Sequence, residues 1–167
     1  MKIKSLLFIL CISFVLTSCS QTELLTFPAH SLSYNQNDPG ITLHTRGVNW
    51  ANSGGNLSLT IRRPKSYQSG AVKLAFFYQV VNDSAGTIIL TVTPVGFNSG
   101  ASFETYGSVG SSPINTAETI NRLYEQSVLI EPGNGFNSDA QWWYFEIARQ
   151  GTYNGEIRLM SVEVGVE

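Results

Sequence analysis

Carboxylates are the first residues with chemical potential in this chain. Hydrolysis of a glycosidic bond takes two of them about 5–10 Å apart, one as acid and one as base or nucleophile. Glu104, Glu118, Glu131, Asp139, Glu146 and Glu156 supply the residue type, and their spacing selects no pair. His30 and His44 are the only histidines, neither with a carboxylate at ligand spacing, and there is no His/Cys cluster for zinc. No Gly-x-Ser-x-Gly nucleophile turn occurs. The stretch from Glu131 through Asn134 and Asn137 to Asp139 is rich in oxygen donors, which calcium favours, but it lacks an ordered calcium-loop spacing. A plain turn is the simpler reading, and nothing points to a cofactor.

Aromatic residues offer binding rather than catalysis. Trp143, Phe145 and Ile147 alternate with Trp142, Tyr144 and Glu146. In a strand, successive side chains point to opposite faces. If Trp143 faces the core, Trp142 and Tyr144 face out, where rings stack on sugars or on partner side chains. Glu146 and Arg158 would add polar contacts. The competing reading is that a loop or second sheet covers these rings. Trp50 and Tyr67, in loop-like sequence, are further binding candidates.

The N-terminus carries a different chemistry. Met1-Lys2-Ile3-Lys4 is basic, residues 6–16 are uncharged and mostly apolar, and Leu16-Thr17-Ser18-Cys19 follows. This is the layout of a secretory signal. The apolar run is about half the ~20 residues a membrane span needs. Leu16-Thr17-Ser18-Cys19 also resembles the lipobox of bacterial lipoproteins. That resemblance implies a diacylglyceryl group on Cys19, cleavage before it, and a stable multi-chain membrane anchor. It further implies export, to the outer membrane in a Gram-negative host, where Ser20 rather than Asp follows the cysteine, and otherwise to the outer face of the cell membrane. The alternative is an ordinary cleaved signal with an incidental cysteine.

Removing residues 1–18 from the 167 leaves 149, a single domain with room for a core. Lys2 and Lys4 leave with the signal, so twelve acidic side chains face eight basic ones, which argues against nucleic acid as a partner. Cys11 lies in the signal, so apart from Cys19 no cysteine remains for a disulfide. The expected organisation is a signal at 1–18, a short tether at 19–28 and one domain at 29–167.

Within that domain the apolar period is two, not 3.6. Leu57, Leu59 and Ile61 alternate with polar residues, and Arg62-Arg63-Pro64 ends the run. Residues 71–81 and 87–95 read as a hairpin, and so do 142–150 and 156–164. Ile157 and Leu159 share one parity and Val162 and Val164 the other, which predicts a β-bulge near Met160-Ser161. Residues 115–124 are either one short helix, capped by Asn115 with Glu118 three positions on, or an irregular crossover into a strand at 127–130.

Many short strands and long Gly/Asn/Ser loops predict an all-β, antiparallel two-sheet sandwich of jelly-roll type. Arg63-Pro64 after a strand, the 70–86 pair, and Trp143 to Arg149 followed by Tyr153-Asn154-Gly155 resemble jelly-roll modules of phage tail proteins and carbohydrate-binding modules. The favoured function is a lipid-anchored, non-enzymatic module that binds a glycan or a protein partner at the cell envelope. A structural envelope lipoprotein without a small ligand is the alternative, and a glycoside-hydrolase-like enzyme the third reading.

Overall fold

Two-residue periodicity becomes eleven strands in the computed structural model, which describes residues 24–82, 85–101, 106–116 and 119–166. They are β1 (Leu25–Pro28), β2 (Ile41–His44), β3 (Gly47–Trp50), β4 (Leu57–Arg62), β5 (Val72–Val80) and β6 (Thr87–Phe97). After them come β7 (Gly110–Ser111), β8 (Asn115–Thr116), β9 (Leu123–Ile130), β10 (Trp142–Gln150) and β11 (Ile157–Val166). Cys19 and the rest of the opening motif lie outside the described residues. Leu25–Pro28 is not tether but an antiparallel strand on β11, because Leu25 and Phe27 pack against the core.

One sheet has the order β2-β3-β11-β5-β9, with β1 joined to β11; the other has the order β4-β10-β6-β7, with β8 joined to β6. All pairings are antiparallel. The expected all-β jelly-roll sandwich is therefore present. Its core lies between the sheets and is built on Trp50, Trp143, Tyr78, Tyr153, Phe76 and Phe145, all fully buried.

The bulge is where parity requires it. Leu159 pairs with Tyr78 and Ser161 with Phe77, leaving Met160 as the extra residue. Ile157, Leu159, Val162 and Val164 then all face inward. On the other edge of β11, β3 pairs with residues 157–159 and β1 with 161–164, so the bulge falls at the gap between them.

Neither expected hairpin forms. β5 and β6 lie in different sheets, and so do β10 and β11. Alternation tells which face is buried, and two strands facing each other across a core carry the same pattern as two neighbours in one sheet. The six-residue connections 81–86 and 151–156 are long enough to cross the ~10 Å between packed sheets. They run side by side and bond to each other. Val81 N–H donates to the Glu156 carbonyl at 2.9 Å, and Tyr153 O–H donates to the Asn82 carbonyl at 2.8 Å.

The possible helix at 115–124 is also absent from the described residues, with Ala117 and Glu118 falling outside them. Asn115 and Thr116 form β8, Asn121 takes φ +58°, and Leu123 opens β9. The Asn115 side chain does not cap a helix; its Nδ2 donates to Tyr78 Oη at 2.8 Å. Tyr124 stacks on the Tyr78 ring at 5.7 Å. The helical content described is a 3₁₀ turn at Ala29–Ser31.

Burial pushes the Tyr78 hydroxyl up to about 12, with the nearby Tyr124 adding to the rise and the Asn115 bond and Arg149 opposing it. An unfolded tyrosine ionises near pH 10. Between pH 10 and 12 the unfolded chain therefore loses this proton first, and stability falls as pH rises. Arg149 shifts the opposite way over the same window, so the Tyr78 effect is read as a difference between proteins. Over that window wild type should lose roughly 2–3 kcal/mol more than Tyr78→Phe in urea unfolding. Parallel pH profiles for the two proteins would refute the assignment.

Candidate functional site

β10 is the central element of the site because it is paired on both edges. Its inward residues Trp143, Phe145, Ile147 and Arg149 are buried. Its outward residues include Trp142, 37% exposed, with Tyr144 and Glu146 half-buried. Register places Trp142 between Arg62 of β4 and Phe97 of β6, Tyr144 between Thr60 and Val95, and Glu146 between Ser58 and Thr93. Two positions along a strand are ~7 Å apart and neighbouring strands ~4.8 Å. The outer face of this sheet thus presents Trp142, Tyr144 and Phe97 close together, flanked by hydroxyls and Arg62.

The polar groups at this face are held. Glu146 accepts from Asn56 Nδ2 at 2.7 Å. Beyond Trp142, Asn98 Oδ1 accepts from Gln141 N–H at 2.9 Å, and Arg63 pairs with Asp139 at 3.4 Å. Val95, on the same face, is only 1% exposed, so the surface is closed around it. The accessible aromatic end is the one at Trp142.

Other residues picked from sequence lie elsewhere. Trp50 ends β3 and is fully buried, its Nε1 donating to the Gly55 carbonyl at 3.0 Å. Tyr67 is buried with its ring edge-on to Trp143 at 4.8 Å, and its hydroxyl donates to the Gly70 carbonyl at 2.9 Å. Large rings contribute most to the core when buried, and each polar tip finds a backbone carbonyl there. Both are core residues, not binding residues. Arg158 sits on the outer face of the other sheet, where its Nε donates to Asn49 Oδ1 at 3.0 Å. The full thickness of the sandwich separates it from Trp142.

The oxygen-rich stretch from Glu131 to Asp139 is a turn. The Asn134 carbonyl accepts from Ser108 N–H at 2.8 Å, Asn137 Oδ1 accepts from Asp139 N–H at 3.2 Å, and Asp139 faces Arg63. Among the described residues no group of three or more His, Cys, Asp or Glu converges on a point. His30 Nε2 donates to the His44 carbonyl at 2.7 Å, and His44 Nδ1 accepts from Arg46 N–H at 3.2 Å. Glu104 and Glu118 lie outside the described residues.

Arg62 and Phe97 were missed as site residues. Arg62 reads in sequence as part of a strand-ending signal, and Phe97 follows Pro94 and Gly96, which look like breakers. Only the pairing of β4 and β6 with β10 brings them to Trp142.

No protein-family model and no curated protein matches this sequence. Solved structures do resemble it. A xylan-binding module, CBM15, superposes with a TM-score of 0.54 and 18% identity over 87% of this chain and 97% of the module. A Xylanase10C variant from Cellvibrio japonicus in complex with xylopentaose gives 0.48 and 14%, over 86% of this chain and 27% of that one. The fold is therefore a two-sheet jelly roll like that of a carbohydrate-binding module.

Proposed function

We propose that this protein is an exported, non-catalytic glycan-binding module, moored to a membrane by acyl groups on Cys19. The observation that carries the binding part is the exposed Trp142 beside Tyr144 and Phe97 on the outer face of the five-stranded sheet, with Ser58, Thr60, Arg62 and Glu146 at its flanks. Rings pack on the apolar faces of sugars while side-chain hydroxyls and charges meet the sugar hydroxyls. A structural neighbour that is a xylan-binding module supports the same reading and makes xylan the first ligand to test. The anchor rests on Leu16-Thr17-Ser18-Cys19 after a basic start and a short apolar run.

The test is retention on a panel of soluble polysaccharides in affinity gels, followed by calorimetry on the best ligand. Trp142→Ala should weaken binding ~10- to 30-fold, or about 1.4–2 kcal/mol. Arg158→Ala, on the opposite sheet, should leave it unchanged. Retention by no polysaccharide, or equal affinity in the Trp142 variant, would remove the proposed site and leave the structural-lipoprotein reading. Labelled palmitate should enter the wild-type protein and be lost with Cys19→Ser.

A further inference from the structure

The opposite face of the sandwich has its own character. Leu24 is the first described residue, and a Cβ built on Gly165 would come within 3.3 Å of Leu24 Cδ1. Gly165 pairs with Lys73, and Lys73 with Leu129. Leu24, Gly165, Lys73 and Leu129 thus form one row across the outer face of the six-stranded sheet. The small residues Ala75 and Gly165 leave a trough of about 110 Å³ there, walled by Leu24, Lys73, Glu125 and Glu163. A second groove, of about 300 Å³, lies beyond it between Leu129 and Pro113.

Aliphatic side chains border this face. Leu24 is 57% exposed and Leu129 45%, and at the β9 edge, on the segment whose short strands pair with β6, stand Val109 at 58% beside Leu129 and Ile114 at 68% beside Glu125. Exposed apolar groups gathered on one side of a domain mark a surface with a partner. Lys73 and Arg158 on this face are balanced by Glu125 and Glu163, so the partner needs no strong charge.

Chain length says which partner. Five peptide units separate Cys19 from Leu24. Whatever their conformation, they span at most about 18 Å. Acyl groups on Cys19 would therefore hold Leu24, at one end of this sheet face, within that distance of the bilayer surface. We propose that the outer face of the six-stranded sheet rests on the lipid surface through Leu24 and Leu129, with Val109 and Ile114 at its β9 edge. The Trp142–Tyr144 face, on the other sheet, then points away from the membrane toward its ligand. This orientation rests on acylation of Cys19 and adds to the glycan reading the direction in which the site looks.

The test uses the full chain, processed by its own host and reconstituted into vesicles of phosphatidylcholine and phosphatidylethanolamine. An acylated Cys19 has no free thiol, so a cysteine introduced by Leu129→Cys or Thr60→Cys takes a fluorescent label alone. Quenching by aqueous iodide should fall about threefold or more at position 129 on reconstitution and stay unchanged at position 60. Raising the salt concentration should not reverse this, because apolar contact is not screened. Equal accessibility at both positions, or shielding at 60, overturns the orientation. Shielding of 129 in a Cys19→Ser protein without vesicles would mean that a second copy covers the face, which also overturns it. Thiol labelling of wild type at Cys19 would instead show that the anchor itself fails.

Discussion

Arg149→Met is expected to lower stability by about 3–5 kcal/mol, even though it removes a charge from the interior. Arg149 has the inward parity of Trp143, Phe145 and Ile147 and is 8% exposed. Its Nη1 donates to the Trp50 carbonyl, and its Nη2 donates to the carbonyls of Tyr153 and Gly155, both at 2.8 Å. The guanidinium lies 5.1 Å from the centre of the Tyr153 ring. Burial pushes the guanidinium down to about 10, with Tyr153, Tyr78 and Glu156 opposing the shift. It therefore remains a cation at neutral pH. The planar fork gathers one carbonyl from the end of β3 and two from the connection that carries the chain from one sheet to the other. Methionine matches the length of the stem but donates to none of these carbonyls. Urea unfolding reads the loss. A Met variant within 1 kcal/mol of wild type would show that the three carbonyls find other donors.

What could be read in the sequence follows from what period-two patterning encodes. Leu57, Leu59 and Ile61 face inward as their alternation predicts. The parity conflict between Ile157/Leu159 and Val162/Val164 placed the bulge near Met160-Ser161, and the register makes Met160 the extra residue. Pairing was not legible, because inward alternation is the same for neighbours in a sheet and for strands facing across the core. That is why 71–81 and 87–95 resembled a hairpin and are instead a crossing between sheets. Within β10, parity separated the outward Trp142 and Tyr144 from the inward Trp143. Across strands it failed: Arg158 was grouped with Trp142 because both are outward, though they are outward on opposite sheets. Trp50 and Tyr67 looked like loop residues because their neighbours are polar and turn-forming. Each is buried by other elements, Tyr67 against Trp143 of β10, which local sequence does not report.

Gly151→Ala should cost about 3–4 kcal/mol, from one methyl group. Gly151 has φ +107°, a conformation that L side chains rarely adopt. A Cβ there would stand 2.1 Å from the Thr87 carbonyl oxygen. That oxygen is backbone at the start of β6 and accepts Tyr153 N–H at 3.0 Å. Thr87 and Thr152 also bond to each other, Thr87 N–H to Thr152 Oγ1 at 3.0 Å and Thr152 N–H to Thr87 Oγ1 at 3.2 Å. Relief of the overlap must move the 151–153 turn off β6, and Tyr153 moves with it. Tyr153 is also where Arg149 is held, through its carbonyl and its ring. Gly151 and Arg149 therefore act on one unit, the paired crossings that join the two sheets. The double variant should be less destabilised than the sum of the single effects, by 1 kcal/mol or more. Strict additivity would separate the glycine's close approach from the arginine's clamp and make them two independent fastenings. A Gly151→Ala protein as stable as wild type would mean that the crossing tolerates a wider gap to β6 than the bonds at Thr87 imply.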